Sequence, residues 1–437
     1  MTAHLPDPAR FSWGVATAAY QVEGAIHEDG RGTSIWETFA ARPGAIADGS
    51  DGTIACDSYH RVGEDVDLVA GLGVDYYRFS IAWPRVQPDG SGAMEPRGLD
   101  YYDRLVDALI DRGVAPTATL YHWDLPQPLE TAGGWLNRDT AERFADYAAA
   151  VHARLGDRVG LWATHNEPWC AAYVGYGSGR HAPGRTEGDR THVAAHHLLL
   201  GHGLAAARLH DAGAGGVGIV LNLTPVWPDR PEAADVADGV DAIRNRVWLG
   251  PLVDGAYDEG TLRVAPVLGE PSVVKDGDLD LVRGSADWLG VNYYTPARVD
   301  LPADASAGST PGTATGGDAG VEEFPGVAPF RFTPRPPLTD IGWEVEPRGL
   351  EELLVDTHAR TGLPLVVTEN GAAFSDTTRA ADGAVDDQDR IDYLREHIAA
   401  THRARERGAD VRGYVLWTLL DNFEWAEGYT KHFGIVH

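Results

Sequence analysis

Short runs of apolar and β-branched residues alternate along the chain with longer stretches of helical periodicity. Short apolar runs bounded by turn residues predict buried strands, and apolar positions three and four residues apart predict amphipathic helices. The predicted strands are residues 11–19, 74–81, 114–121, 159–164, 217–223, 288–294, 365–368 and 413–420. The predicted helices include residues 99–112, 138–155, 191–212, 348–361 and 388–408. Such alternation indicates βαβ units, and eight repeats favour an α/β fold of the closed (β/α)8 TIM-barrel type over a doubly wound sheet.

The pattern shows no composition break long enough to be a linker between domains. We therefore expect residues 1–437 to form a single catalytic barrel domain. Residues 302–320 are almost entirely Gly, Ala, Ser, Thr and Pro, which predicts a flexible loop insertion at about 302–338 after the sixth strand. Few residues follow the eighth strand, so the final helix of the barrel is expected to be absent. Its neighbours, the first and seventh helices, would then expose an apolar groove.

The charge of the chain restricts the kinds of molecule that the protein is expected to bind. Its 437 residues carry a formal net charge of −29, which would repel nucleic acids and anionic membranes. We expect a small-molecule substrate and no nucleic-acid or membrane partner, and the oligomeric state stays undetermined. Only two cysteines occur, too few for a disulfide framework. Residues 1–10 lack the apolar core of a signal peptide, so a cytoplasmic location is expected.

Polar side chains follow several of the predicted strands at the end where a barrel places its active site. Glu167 and Glu369 each end an apolar strand, and an amide stands beside each of them. Taken singly, either could be an ordinary loop carboxylate. As a pair facing one pocket, one carboxyl can protonate a leaving group while the other attacks carbon.

Aromatic residues cluster near the same strand ends. Sugar rings stack their C–H faces on indole, and their hydroxyl groups need carboxylate, amide and imidazole partners. Residues with this mixed chemistry are Gln21, His122, Asn166, Glu424 and Trp425. Trp83 and Trp162 are instead interpreted as core residues.

Three other patterns are given structural interpretations. His192, His196 and His197 lie on one predicted helix, but neither an HExxH motif nor a carboxylate cluster joins them, so they are not predicted to bind a metal. The glycines at 213, 215 and 218 match a dinucleotide-binding string, yet they precede a strand, which indicates a helix-to-strand turn. Cys170 is interpreted as a thiol of the pocket wall.

The motifs together resemble glycoside hydrolase family 1, the β-glucosidase family. The similar segments are residues 11–24 (FSWGVATAAYQVEG), 77–83 (YRFSIAW), 120–127 (LYHWDLPQ), 164–168 (THNEP), 175–176 (GY), 181–184 (HAPG), 292–294 (NYY), 368–371 (TENG) and 421–429 (DNFEWAEGY). They occur in order over nearly the whole chain.

The resemblance implies roles for these residues. Glu167 would be the general acid/base and Glu369 the nucleophile, supported by Arg78 and Tyr294. The substrate-binding residues would be Gln21, His122, Trp123, Asn166, Asn292, Tyr294, Trp417, Glu424 and Trp425. A rim facing the aglycone would comprise Trp169, Cys170, Val174, His181 and Trp343. Neither a cofactor nor a metal is implied.

The expected activity is retaining hydrolysis of terminal, non-reducing β-D-glucosyl residues from small β-glucosides or cello-oligosaccharides. Glu424 beside Trp425 favours an unphosphorylated sugar, because phosphoglycosidase relatives carry Ser and Lys at these positions. Three alternatives stay open from the sequence. They are β-galactosidase or β-fucosidase activity, glycosyl transfer in the same pocket, and a non-catalytic sugar-binding protein on the same scaffold.

Overall fold

Eight parallel strands close into a barrel, as the sequence predicts. The computed structural model describes residues 10–302, 320–375 and 384–436. The barrel strands are β1 (Ser12–Ala16), β2 (Tyr76–Ser80), β3 (Ala115–Tyr121), β4 (Leu161–Asn166), β5 (Val217–Leu221), β6 (Trp288–Asn292), β7 (Leu365–Asn370) and β8 (Val411–Trp417). Each strand pairs with the next in the chain, and β1 pairs with β8 to close the barrel. The predicted fold class is confirmed.

The strands form because both of their faces are buried. Every residue of β2, β4, β5, β6 and β7 is buried, which explains the apolar runs with which they begin. The structure extends β4 and β7 by two residues beyond the predicted ends, through Asn166 and Asn370. Glu369 is therefore the penultimate residue of β7 and not the first residue after it. Its carbonyl oxygen accepts a hydrogen bond from the Tyr293 amide at 3.0 Å.

Helices surround the barrel, and the five predicted ones are present. The α-helices are Ala19–Val22, Ile35–Ala40, Val62–Gly71, Trp83–Val86, Pro96–Asp111, Gln127–Thr131, Asp139–Leu155, Thr191–Asp211, Ala234–Asp241, Val247–Asp254, Glu259–Val264, Asp278–Val282, Pro347–Thr361 and Gln388–Glu406. Two π-helical segments lie at Cys170–Ser178 and Ala242–Arg246. Single 3₁₀ turns lie at Gly134–Leu136, Gly188–Arg190, Pro231–Ala233, Pro266–Gly269 and Trp425–Glu427.

The helix Asp139–Leu155 shows how the sequence sets these elements. Phe144, Tyr147, Val151 and Leu155 recur at helical spacing, and all four are buried against the barrel. Acidic residues occupy its first turn and basic residues its last turn, which complements the helix dipole. Burying each of these large side chains contributes about 1.5–3 kcal/mol, so packing of this face holds the helix in place.

The glycine and histidine patterns have the structural roles that the sequence indicates. Gly213 and Gly215 connect the helix Thr191–Asp211 to β5, so the glycine string forms a helix-to-strand turn. His196 contacts the Tyr257 hydroxyl at 3.0 Å and an Asp278 carboxylate oxygen at 3.0 Å. His197 lies 2.9 Å from the Trp135 carbonyl oxygen.

The proposed insertion at about 302–338 is only partly described. Residues 303–319 lie outside the described residues. Beyond them, the strand Arg331–Phe332 pairs with Ala297–Asp300, which pairs in turn with Val226–Pro228. This three-stranded sheet is absent from the sequence predictions. Phe324, which precedes the strand Arg331–Phe332, packs against Trp169 with ring centres 5.6 Å apart.

In the described part of the chain, β8 is followed by the 3₁₀ turn and by a bridge between Leu420 and Val436, with no further α-helix. Leu68 and Leu72, in or beside the helix Val62–Gly71, and Trp13 of β1 are among the exposed large apolar side chains. None of the helices in residues 10–302, 320–375 and 384–436 is long and apolar enough to cross a lipid bilayer.

Candidate active site

A cavity of about 510 Å³ opens at the carboxyl end of the barrel strands. Its volume lies within the range of small-molecule sites. Fourteen of the predicted site residues line it: His122, Trp123, Glu167, Trp169, Cys170, Val174, His181, Asn292, Tyr294, Trp343, Glu369, Trp417, Glu424 and Trp425. The other three, Gln21, Arg78 and Asn166, are buried and bond directly to residues of this lining.

Glu369 is held by two donors at the end of β7. Arg78 Nη1 lies 2.5 Å from Glu369 Oε1, and the Tyr294 hydroxyl donates to Oε2 at 2.7 Å. Arg78 is itself fixed in β2, because its Nε donates to the Thr119 hydroxyl at 3.0 Å. Burial and the Glu369 charge raise the pKa of Tyr294, so this phenol keeps its proton and remains a donor. The two contacts hold the Glu369 carboxyl group in one orientation, beside a guanidinium.

Glu167 follows β4 and has a different environment. Its backbone φ is +45°, and its amide donates to the Val220 carbonyl of β5 at 2.9 Å. Asn292 Nδ2 donates to Oε1 at 2.8 Å, and the Cys170 thiol donates to Oε2 at 3.2 Å. Burial, followed by repulsion from Glu369, raises the pKa of Glu167 to about 7. This carboxyl can therefore hold a proton near neutral pH.

Two amides join the carboxyl groups into one network. Asn166 Oδ1 accepts from Arg78 Nη2 at 2.8 Å and from Asn292 Nδ2 at 3.0 Å. Asn292 Oδ1 accepts from the Thr368 hydroxyl at 2.7 Å. A continuous path of hydrogen bonds thus runs from Glu369 through Arg78, Asn166 and Asn292 to Glu167. It fixes the relative orientation of the two carboxyl groups before any substrate enters.

An aromatic wall faces these carboxyl groups. The rings of Trp123 and Trp425 have centres 4.4 Å apart, and His122 stacks at 5.8 Å on Trp417 and at 5.9 Å on Trp425. Trp123 and Trp425 have φ values of +76° and +48°, a conformation that non-glycine residues rarely adopt. Such backbone positions concentrate at functional sites. Burial and Arg78 lower the pKa of His122, so it is neutral and accepts from Asn166 Nδ2 at 3.0 Å.

Glu424 is the third carboxyl group of the cavity, and Gln21 supports it. Gln21 Nε2 lies 3.3 Å from Glu424 Oε2 and also donates to the Phe423 carbonyl at 2.9 Å. Burial raises the pKa of Glu424 to about 8, and electrostatic repulsion from Glu369 is the next largest cause. Gln21 Oε1 is buried and has no hydrogen-bond partner among the described residues. These groups can bind the hydroxyl groups of a polar ligand.

A glycine is required where β7 meets β8. A Cβ atom on Gly371 would lie 1.8 Å from the Trp417 carbonyl oxygen. This contact explains the glycine of the TENG segment, since any side chain would push Trp417 away from the cavity.

The predicted rim residues surround the opening. Val174 lies in the π-helical segment Cys170–Ser178 and is buried. Trp343 packs edge-on against Tyr294 with ring centres 5.1 Å apart, and His181 lies 5.5 Å from Trp123. Burial and Arg180 lower the pKa of His181 to about 3, so it is neutral. Most of the rim is therefore apolar or aromatic.

Comparison with known proteins identifies the family. The model of "Glycosyl hydrolase family 1" matches residues 3–437. The chain belongs to this family. It is 48% identical over 436 residues to the thermostable beta-glucosidase B of Thermobispora bispora, covering 99% of this chain and 86% of that protein. It is 44% identical to the bifunctional beta-D-glucosidase/beta-D-fucosidase of Bifidobacterium breve, covering 98% of this chain and 93% of the relative.

Solved structures agree with this assignment. The psychrophilic beta-glucosidase of Micrococcus antarcticus superimposes with a TM-score of 0.91 at 45% identity, covering 99% of this chain and 94% of that one. The beta-glucosidase of Thermotoga maritima in complex with castanospermine gives a TM-score of 0.88 at 38% identity, covering 98% and 93%. The chain is thus a family 1 glycoside hydrolase that acts on O-glycosyl bonds.

Several lining residues of this family 1 cavity are absent from the sequence predictions. Asn222 follows β5 and donates to the Cys170 sulfur at 3.4 Å. A polar residue just after a barrel strand is a candidate site residue. The predicted strand 217–223 includes Asn222, however, so the sequence pattern does not place it at a strand end. Arg244 and Phe433 also line the cavity. No strand-exit pattern points to them, because they come from a helical segment and from the segment after β8.

Proposed function

We propose that this family 1 enzyme hydrolyses terminal β-D-glucosides with retention of configuration, using Glu369 as nucleophile and Glu167 as general acid/base. One observation carries the proposal. Two carboxyl groups share a cavity, Glu369 beside Arg78 and a phenol, and Glu167 with its pKa raised to about 7. The retaining mechanism needs this division between an ionised and a protonated carboxyl group.

In the first step, Glu369 attacks the anomeric carbon while Glu167 gives its proton to the leaving oxygen. The C–O bond to the aglycone breaks, and a covalent glucosyl ester forms on Glu369. Arg78 and Tyr294 hold the attacking carboxylate in position, so little reorganisation is needed at the moment of reaction.

In the second step, water replaces the aglycone. Esterification removes the negative charge of Glu369, which is the second largest cause of the raised pKa of Glu167. The pKa of Glu167 therefore falls, and its carboxylate can take a proton from water as water attacks the anomeric carbon. Two inversions at one carbon give net retention.

The cavity also supports a glucosyl group as the sugar recognised. Gln21, His122 and Glu424 offer polar contacts to ring hydroxyl groups, and Trp425 offers an indole face. The relatives described above as beta-glucosidases support the same choice. An unphosphorylated sugar is proposed, because a phosphate beside Glu424 would meet a carboxyl group where phosphate binding calls for a cationic partner.

Chemical rescue of two variants tests the roles of the carboxyl groups. Glu369→Ala is expected to lose nearly all activity on p-nitrophenyl β-D-glucoside, and azide should restore turnover with α-glucosyl azide as product, because only one inversion then occurs. Glu167→Ala should still form the glucosyl ester rapidly from dinitrophenyl β-D-glucoside, whose leaving group needs no proton, and then hydrolyse it slowly because the base for water is missing. With azide it should give the β-azide after two inversions. NMR of the products distinguishes the two anomers.

Glu427→Ala is the matched control, since Glu427 lines the same cavity but contacts neither Glu167 nor Glu369 by a hydrogen bond in the described residues. It should keep turnover on both substrates. Identical azide products from both catalytic variants would contradict the assigned roles. A folded wild-type protein without turnover on β-glucosides would overturn the proposed activity.

Hydrolysis of β-D-fucosides is a second candidate activity. The bifunctional relative of Bifidobacterium breve, at 44% identity, is the observation that favours it. D-Fucose lacks the 6-hydroxyl and inverts the 4-hydroxyl of D-glucose, so it changes few contacts in a shared pocket. Ratios of kcat/KM for the two p-nitrophenyl glycosides measure the preference directly.

A further inference from the structure

One guanidinium of the cavity has no part in the reaction proposed above. Arg244 lies in the π-helical segment Ala242–Arg246 and lines the cavity. Its guanidinium carbon stands 3.8 Å from the centre of the Trp169 ring, a cation–π contact. Trp169 comes two residues after Glu167, so Arg244 lies on the Glu167 side of the cavity.

Arg244 has no hydrogen-bond or ion-pair partner within residues 10–302, 320–375 and 384–436, and its Nε is buried without an acceptor. A guanidinium has five N–H donors and stays protonated in proteins. A half-buried cation without a carboxylate is costly, and an anion entering with a ligand would satisfy it.

The other two guanidinium groups of the lining differ from Arg244. Arg42 donates to the carbonyl oxygens of Pro183 at 2.8 Å and Gly184 at 3.3 Å. Arg180 forms a bidentate pair with Glu322, at 2.9 and 3.1 Å. Arg244 is therefore the cavity arginine with its donors uncommitted in the described structure.

The residues beside Arg244 fix its direction. The Thr224 amide donates to Asn245 Oδ1 at 3.0 Å, and Asn245 Nδ2 donates to the Thr224 carbonyl at 2.8 Å, which fastens the π-helical segment to the loop after β5. On the other side, Arg246 pairs with Asp238 at 2.7 Å. π-Helical segments frequently mark functional sites, and this one presents Arg244 to the cavity.

The position of Arg244 places it along the path of the leaving group. Glu167 protonates the glycosidic oxygen in the proposed mechanism, so the aglycone extends from Glu167 past Trp169. The electrostatic neighbours of Arg244 include Cys170 and Glu167. Trp343 and Phe433, which pack on Tyr294, also line the cavity and suit an aromatic ring.

We propose that Arg244 binds a carboxylate on the aglycone, so that aryl β-D-glucosides of aromatic carboxylic acids are preferred substrates; this inference rests on the proposed function. Arginine is suited to the role, because its planar fork matches a carboxylate in a bidentate contact. A local contact of this kind is needed for an anionic substrate, since the protein as a whole carries a net charge of −29.

Matched substrates test the proposal on the wild-type enzyme. The carboxyphenyl β-D-glucosides, with the carboxylate in the para or meta position, are compared with the corresponding carbamoylphenyl glucosides, which have nearly the same shape but no charge. The better of the two carboxyphenyl glucosides is expected to exceed the matching carbamoylphenyl glucoside in kcat/KM by about tenfold or more, as a charge-assisted contact requires. Arg244→Gln should reduce this ratio to about one, mainly through KM, and Arg244→Lys should retain part of it.

Arg180→Gln is the matched control, since it removes one positive charge from the same cavity and leaves Arg244 intact. Its substrate ratio should stay at the wild-type value. An equal loss of the ratio in this variant would show a general field effect and overturn the direct contact.

The remaining outcomes separate this inference from the proposed function. If the wild type hydrolyses the charged and neutral glucosides equally well, the carboxylate site is overturned while the glucosidase activity stands. If Arg244→Gln keeps the ratio and only moves the basic limb of the pH profile, Arg244 acts on Glu167 and not on the aglycone. If no β-glucoside is hydrolysed, the proposed function itself fails.

Discussion

At the scale of single residues, the protonation of Glu167 is set by opposing contacts. Burial and the Glu369 charge favour the neutral acid, whereas donation from Asn292 and from the Cys170 thiol favours the carboxylate. The balance gives a pKa of about 7. Cys170 is thus a positioning residue that acts on the reaction through Glu167. Burial raises the pKa of its own thiol, so it remains a donor and not a nucleophile.

Replacing Cys170 should move the pH dependence of the enzyme. In Cys170→Ala the donor to Glu167 Oε2 is lost, so the carboxylate is less stabilised and the pKa of Glu167 rises. Since Glu167 must be protonated for the first step, the basic limb of the kcat/KM profile should shift to higher pH. The profile of p-nitrophenyl β-D-glucoside hydrolysis between about pH 5 and 9 measures this shift.

Cys170→Ser is the control, because a hydroxyl keeps a donor at the same position. Its profile should remain close to that of the wild type. Glu424, whose pKa is about 8, also titrates in the pH range of the basic limb. The pKa measured from this limb therefore belongs to the interacting carboxyl groups together and not to Glu167 alone. A downward shift in Cys170→Ala would contradict the assigned direction of the Cys170 contact.

The sequence predicts some of these residues and not others for a physical reason. Glu167 and Glu369 come at strand ends, and the barrel architecture places all such ends around one opening. The sequence places Cys170 at the rim, but its hydrogen bond to Glu167 depends on the π-helical turn that begins there. Arg244 is harder still to predict from the sequence, because only tertiary packing brings the segment Ala242–Arg246 to the cavity.

At the scale of elements, Asp278 joins three helices behind the barrel. Arg138 Nη1 donates to Asp278 Oδ2 at 2.7 Å, and His196 Nε2 lies 3.0 Å from the same oxygen. These residues belong to or adjoin the helices Asp139–Leu155, Thr191–Asp211 and Asp278–Val282. Hydrogen bonds from Arg138, His196 and the Lys275 amide hold the pKa of Asp278 below its usual range despite burial.

Asp278→Asn should lower stability in a pH-dependent manner. Loss of the charged contacts should cost about 2 kcal/mol, a decrease in Tm of about 2–4 °C. A carboxyl with a lowered native pKa stabilises the fold fully above its ordinary pKa of about 3.9, and this contribution is lost as pH falls through the native pKa. The Tm difference from the wild type should therefore be constant above about pH 5 and narrow below about pH 4.

Calorimetry of the two proteins across this range measures the effect. Asp280→Asn is the control, because Asp280 lies exposed on the same short helix and should leave Tm within about 1 °C of the wild type. A Tm difference that grows at low pH would show that the ionised Asp278 does not stabilise the fold.

The sequence predicts long elements better than short ones. Runs such as β4 and the helix Asp139–Leu155 are predicted because several residues repeat the same burial pattern. The strands Val226–Pro228 and Arg331–Phe332 have three and two residues, too few to show a period. The π-helical segments also escape prediction, because their extra residue per turn is a consequence of packing.

At the scale of the whole molecule, closure of the barrel assembles the cavity from distant parts of the chain. Gln21 and Glu424 are 403 positions apart in sequence, yet their side chains are in contact. Arg78 and Glu369 are 291 positions apart. The pairing of β1 with β8 brings both ends of the chain to one cavity, so the site depends on the complete barrel and not on any single βαβ unit.

The excess of acidic residues should make stability depend on ionic strength. The chain has 65 acidic and 36 basic residues, so its net charge of −29 leaves many carboxylates without a cationic partner. Their mutual repulsion favours the unfolded chain and is long-ranged, whereas paired surface charges contribute little each. Raising NaCl from about 20 to about 200 mM shortens the screening length from about 20 to 7 Å, so at pH 7 we expect Tm to rise by a few degrees.

Measurement near the isoelectric point provides the control for this effect. There the net charge is small, so added NaCl should leave Tm unchanged or lower it slightly by screening the local ion pairs. Arg154 with Asp103 and Arg208 with Asp146 are examples of such pairs on exposed helices. A decrease in Tm with NaCl at pH 7 would mean that local attraction outweighs the overall repulsion. Added salt screens both the overall repulsion and the attraction within ion pairs. The effect of NaCl on Tm must therefore be compared between the two pH values to separate the contribution of net charge from that of ion pairing.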